Sequence, residues 1–158
     1  MLFAKHGYAH ARLDKQLQKK AIEKRYYALV KGEGHLDLQG EIIAPIARDE
    51  DSIITRRVAK GGKYAHTSYQ IVASYGNIHL VDIRLHTGRT HQIRVHFSWL
   101  GAPLVGDDLY GGVKDEFLVR QALHCHSLTF IHPMTKKELI IEAPLPKDMS
   151  QWIKAHKK

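Results

Sequence analysis

A chain of 158 residues with 44% apolar side chains suits one compact domain and argues against wholesale disorder. Its 24 Lys and Arg against 16 Asp and Glu leave a formal net charge of +8, and 12 histidines add latent positive charge, so polyanions such as nucleic acid are favoured partners. No apolar run approaches the roughly 20 residues of a membrane-spanning helix, no export signal opens the chain, and the single cysteine, Cys125, cannot close an internal disulfide; a reducing cytoplasm is the expected setting.

In chain order, residues 6–20 read as a helix: Ala9, Leu13 and Leu17 recur every four positions, and Arg12, Lys15, Lys19 and Lys20 make a basic outer face. Tyr26–Val30 is an aromatic and aliphatic strand closed by Lys31-Gly32-Glu33-Gly34, and segments 42–46, 53–58 and 67–74 are further strand candidates. Residues 77–86 alternate cleanly, with Val81, Ile83 and Leu85 on one face and Asp82, Arg84 and His86 on the other. Thr87-Gly88 turns the chain, and Thr90 is placed to cap a helix over 91–100 whose apolar stripe is Ile93, Phe97 and Leu100. Strands near 122–131 and 137–143 and a short helix from 147 complete an α+β domain with a mixed, mainly antiparallel sheet and a few flanking helices. No repeat or linker divides residues 1–158, so a single domain is expected.

The densest polar segment runs from His86 to His96, from a strand end through a glycine turn into a helix start. Such a junction directs backbone N–H groups and the positive helix end at solvent, where an anion can bind. Arg89 in the turn is free to meet a phosphate. Arg94 lies on the helix beside the apolar stripe, with Ser98 and Gly101 following at helical spacing. Burial of that guanidinium requires a carboxylate partner, which a plain ion pair between helix and sheet would supply.

These residues carry a resemblance. His86–His96 (HTGRTHQIRVH) is similar to the signature TGR-x-HQ-[IL]-R-x-H of the ribosomal large-subunit and tRNA pseudouridine synthases. Gly101–Gly111 (GAPLVGDDLYG) resembles that family's G-x-P-x-x-GD-x-x-YG, and Lys24–Gly32 its K-x-Y-x-A-x-V-x-G strand. Leu123-His124-Cys125 with Phe130-Ile131-His132-Pro133 looks like its closing motif. The resemblance implies an isomerase that flips a uridine from RNA, breaks its glycosidic bond and rejoins the base through carbon, with no cofactor and no metal. It implies that Tyr26 stacks on the base and helps remove a proton from the new attachment carbon, while Arg94 pairs with the catalytic aspartate. Both side chains should then converge on one cleft. RNA contacts are expected from Lys24, Arg25, Arg84, Arg89 and His91. By the same resemblance the substrate is large-subunit ribosomal RNA, with tRNA the alternative.

The family's aspartate motif, H-R-L-D-x-x-T-S-G, is followed by a strand ending in AK, which Met1-Leu2-Phe3-Ala4-Lys5 resembles. That register places the catalytic aspartate before Met1, so the chain reads as the C-terminal part of a catalytic domain, inactive alone. Asp14 within Arg12-Leu13-Asp14 is a tempting substitute. It is set aside because it falls on the basic helix, lacks Thr-Ser-Gly after it, and stands too close to the Lys24–Tyr26 strand.

Two other classes compete. A metal site could use His124-Cys125-His126, or His86, His91 and His96, but neither paired C-x-x-C nor H-E-x-x-H occurs and these spacings scatter the ligands. A non-catalytic RNA-binding fragment or degenerate copy would use Arg12, Lys15, Lys19, Lys20, Lys24-Arg25 and Arg56-Arg57 on phosphates.

Overall fold

The computed structural model describes residues 2–32 and 36–157. Three helices, α1 (Gly7–Gln18), α2 (Gln92–Trp99) and α3 (Lys147–His156), flank eight strands: β1 (Glu23–Lys31), β2 (Gln39–Ile43), β3 (Ile46–Arg48), β4 (Arg56–Val58), β5 (His66–Tyr75), β6 (Ile78–Leu85), β7 (Leu123–Ile131) and β8 (Glu138–Glu142). Six strands form one sheet in the order β2-β5-β6-β1-β7-β8, and β3 and β4 form a separate hairpin. Every pairing between these strands is antiparallel, so the expected α+β class holds and the mixed component does not appear among them.

The long strands follow from period-2 patterning. On β1, Ala28 and Val30 enter one core cluster and Leu29 the other; on β6, Val81 and Ile83 join the first and Leu80 the second. The central strands are therefore apolar on both faces, because both are covered. α2 packs Ile93 and Phe97 on the first face, and α3 packs Met149 and Trp152 on the second. These are among the best-buried side chains in the protein, and each stabilises the fold by roughly 1.5–3 kcal/mol through burial.

Three expectations need correction. The segments 42–46 and 53–58 are not single strands: β2 ends at Ile43, β3 starts at Ile46, and only Arg56–Val58 of the latter is extended. Pro45, which cannot donate, separates β2 from β3. Leu2–Ala4 belong to no regular element. α2 is not a helix with one apolar stripe; Gln92 through Phe97 are all buried. The sheet covers one side, while Val95 packs with Ile46 and Ala65 on another. Of the turn expected to close β1, Glu33 and Gly34 lie outside the described residues.

Candidate functional site

The turn into α2 is built from the segment the sequence singled out, by a different cap. Thr90 does not cap the helix. His91 is the N-cap residue, in the left-handed region at φ 56°, with no side-chain cap bond. The turn is held instead by Gln92, whose side-chain oxygen accepts from the Thr87 hydroxyl at 2.8 Å and the Arg89 N–H at 2.9 Å. Its amide nitrogen donates to the His66 carbonyl and the Thr67 hydroxyl, both at 3.0 Å. A buried glutamine satisfied on both ends fixes this turn to β5, and Arg89 is itself held by Nε donating to the Tyr64 carbonyl at 2.9 Å.

Arg94 has its carboxylate within the chain. Its Nε and Nη2 donate to the two oxygens of Asp107, each at 2.7 Å, with Arg94 8% exposed and Asp107 fully buried. Among the described residues the carboxylate that its burial demands is thus Asp107, brought to the Nε–Nη2 edge by the Gly106-Asp107 turn. Gly106 delivers that turn at φ +73°, where a Cβ would meet the Arg120 carbonyl oxygen at 2.2 Å. The aspartate's hydrogen bond, outweighing the cost of burial, raises the Arg94 pKa above its already high ordinary value. Enclosed and doubly bonded, Asp107 has no access to a substrate and acts as scaffold.

Around this pair sits a small aromatic and basic group. The Arg94 guanidinium lies 4.8 Å from the centre of the Tyr110 ring. The Tyr110 hydroxyl accepts the Arg56 N–H at 3.0 Å and meets His91 Nδ1 at 2.8 Å. Burial first, then the charges of Arg94 and Arg56, lowers the His91 pKa, so its ring is neutral near pH 7. His91 thus supports the turn through Tyr110.

Beside the turn, a cleft of about 520 Å³ opens between the β3–β4 hairpin and the α2 entrance, and Arg48, Arg56, Lys63 and Arg89 line it with Gly61, Gly62, Gly88 and Thr90. Gly62 permits this close packing, since a Cβ there would meet the Ile46 carbonyl carbon at 2.6 Å. Four cations and, among the described residues, no carboxylate line this cleft, which suits it to phosphates. Arg48 and Lys63 were not singled out from sequence; they reach the site only because the hairpin folds over α2.

Tyr26 lies elsewhere on the same sheet face, packed against the core cluster that contains Ile93 and Phe97. It lines a second cleft of about 820 Å³ beneath α1, with Lys24, Leu13, Leu17, Cys125, Leu128 and Phe130 among its walls. Neither cleft is lined by both Tyr26 and Arg94, among the described residues. Burial chiefly, then the adjacent Cys125, pushes the Tyr26 hydroxyl up to about 12. It is therefore a neutral phenol near pH 7, suited to stacking and hydrogen bonding. Asp14 lines this cleft too, exposed and accepting from Gln18 Nε2 at 2.6 Å. The basic helix that carries it thus borders the cleft of Tyr26.

The remaining basic candidates separate. Arg25 binds Asp82 at 2.7 Å and Arg84 binds Glu23 at 2.8 Å. Alternation puts Arg25 and Asp82 on the α3 face, with Tyr27 and Leu80, opposite to Tyr26. The histidines at 86, 91 and 96 do not converge either: His96 is buried, with its ring nitrogens on the Thr67 hydroxyl at 2.9 Å and the Ala44 carbonyl at 3.0 Å.

The family model for RNA pseudouridylate synthase matches residues 1–99. The uncharacterized RNA pseudouridine synthase YjbO of Bacillus subtilis is 46% identical over 154 residues, covering 98% of this chain and 54% of that protein. The ribosomal large subunit pseudouridine synthase D of Zymomonas mobilis is 40% identical over 167 residues, covering 98% of this chain and 51% of its own length. The chain thus spans about half the length of the curated relatives it matches. Human RNA pseudouridylate synthase domain containing 1 has the same fold, with a TM-score of 0.75 at 24% identity over 98% of this chain and 73% of that one.

Proposed function

Because the chain belongs to the RNA pseudouridylate synthase family, we propose that it holds RNA for the isomerisation of uridine to pseudouridine, with large-subunit ribosomal RNA as substrate. The observation that carries this reading is the four-cation cleft at the α2 entrance, on the sheet face that also carries Tyr26. Phosphates of the strand flanking the target uridine lie on Arg48, Arg56, Lys63 and Arg89, and the flipped base stacks on Tyr26. Arg94 shapes the site through Asp107 and Tyr110, and Lys24 lies within reach of the same RNA. The relative named for the ribosomal large subunit supports that substrate class.

The test is pseudouridine formation on large-subunit ribosomal RNA by the complete gene product carrying these residues. Tyr26→Ala should abolish conversion, and Arg48→Ala with Lys63→Ala should raise KM more than it lowers kcat. Unchanged conversion in both variants would refute the assignment. A second reading is favoured by one observation, the presence of Asp14 in the Tyr26 cleft. If Asp14 supplied the reactive carboxylate, the 158-residue chain would itself form pseudouridine and Asp14→Asn would stop it. RNA binding without conversion by the complete gene product would instead identify a binding module.

A further inference from the structure

On the α3 side of the sheet edge, strands β2, β5 and β6 bring together three ligating side chains that are distant in sequence. The ligand atoms of Glu41, His66 and His86 all lie within 4.8 Å of one another. The register explains the grouping. Glu41 stands opposite Ser68, on the face His66 shares by period-2 alternation, and the His86 N–H donates to the His66 carbonyl at 3.1 Å. The two imidazoles stack with centroids 4.1 Å apart.

A second observation points to a ligand. His66 Nε2 is buried and has no hydrogen-bond partner in a side chain only 17% exposed. Its nearest anionic neighbour, Glu41 Oε1, stands at 3.5 Å, too far for a good hydrogen bond. An orphaned ring nitrogen in a folded protein calls for an explanation, and a bound ion is one of the standard ones.

We propose that Glu41, His66 and His86 form a binding site for a divalent transition cation of the zinc type. Two imidazoles and a carboxylate are the donor set that Zn²⁺ and its neighbours prefer, with water completing a tetrahedron. Ligand atoms around such an ion stand about 3.4 Å apart at metal–ligand distances near 2.1 Å; His66 Nε2 and Glu41 Oε1 are already at 3.5 Å, and His86 closes the rest. Glu41 is the mobile member, its side chain 59% exposed, and the two rings splay from their stack to aim both lone pairs at one point. Ser68 Oγ, 2.9 Å from His86 Nε2, already orients one of those rings. The site touches the Thr87–Gln92 turn directly, because the His66 N–H donates to Thr87 Oγ1 at 2.9 Å and its carbonyl accepts from Gln92. A bound ion therefore clamps β2 to the strand ends that carry Arg89. The proposal does not depend on the RNA reading, since it rests on the sheet register and the unpartnered His66 nitrogen.

The test is Zn²⁺ titration of chelator-stripped protein, followed by calorimetry and by histidine side-chain NMR. One equivalent should bind per chain, raise Tm, and shift the His66 and His86 ring signals before those of exposed His10 and half-buried His124. Glu41→Gln and His86→Asn should each weaken binding at least tenfold, while the metal-free Tm of Glu41→Gln stays at the wild-type value because Glu41 is a surface residue. Absence of binding, unchanged affinity in both variants, or first shifts at other histidines would overturn the proposal.

Discussion

Arg94 shows how a single buried charge organises its surroundings. Two 2.7 Å bonds to a fully enclosed aspartate make removal of either partner costly, since the other charge is left stranded. Asp107→Asn should lower stability by about 3–5 kcal/mol in urea unfolding. The double variant Arg94→Met with Asp107→Leu should lose less than the two single variants added together, because both charges then leave the interior. Additive losses would mean that the pair is not coupled. The demand for a carboxylate was legible in the sequence, from an arginine beside an apolar stripe. Its identity was not, because the partner lies 13 residues on, in a turn whose path depends on the glycine before it. Tyr26 is argued at the same scale. Tyr26→Phe should keep most RNA affinity and Tyr26→Ala should lose about 1–3 kcal/mol of it, the worth of one stacked base, as read by fluorescence anisotropy.

At the scale of elements, α2 depends on a neutral histidine. Burial, and to a smaller degree His66, holds the His96 pKa below its ordinary value against the opposing pull of the Ala44 carbonyl. The unfolded chain therefore takes up this proton first as pH falls. The contribution is complete above the ordinary value near 6.5 and is lost as pH drops from there toward the lowered folded value. Tm should fall with acidification over that range. His96→Gln should be less stable at pH 8 yet flatten this part of the profile; an unaltered profile would remove His96 as a cause. Strand positions were readable because β6 alternates over eight residues and β1 carries a continuous aromatic and aliphatic run. The β3–β4 hairpin was blurred because its strands have three residues each, too few for a period to show. The cap of α2 was misplaced for a related reason. A threonine beside a helix start is a good local signal, but a buried glutamine that satisfies the turn from inside outweighs it.

For the molecule as a whole, the charge excess is unevenly distributed. Four cations gather at the α2 entrance, while Arg25 and Arg84 on the opposite face are paired with carboxylates. Composition indicated a polyanion partner but could not say which face it meets, since Arg48, Arg56, Lys63 and Arg89 come from four separate stretches of chain. The grouping of His86 with Glu41 and His66 is not legible in the sequence for the same reason: sheet register, not spacing, unites them. RNA affinity should fall steeply with salt, and Arg48→Ala with Lys63→Ala should flatten the log–log slope by about 0.7–0.9 for each contact removed. Arg25→Ala and Arg84→Ala should leave the slope unchanged. Retention of the full slope after loss of the cleft cations would place the RNA elsewhere.

The most direct measurement of which face holds RNA is photo-crosslinking with RNA carrying 4-thiouridine, mapped by mass spectrometry of the linked peptides. Crosslinks at Tyr26 or Cys125, accompanied by protection of Lys63 and Arg89 from chemical modification, are the predicted result. Crosslinks confined to the face that bears Arg25, Arg84 and α3 would contradict it.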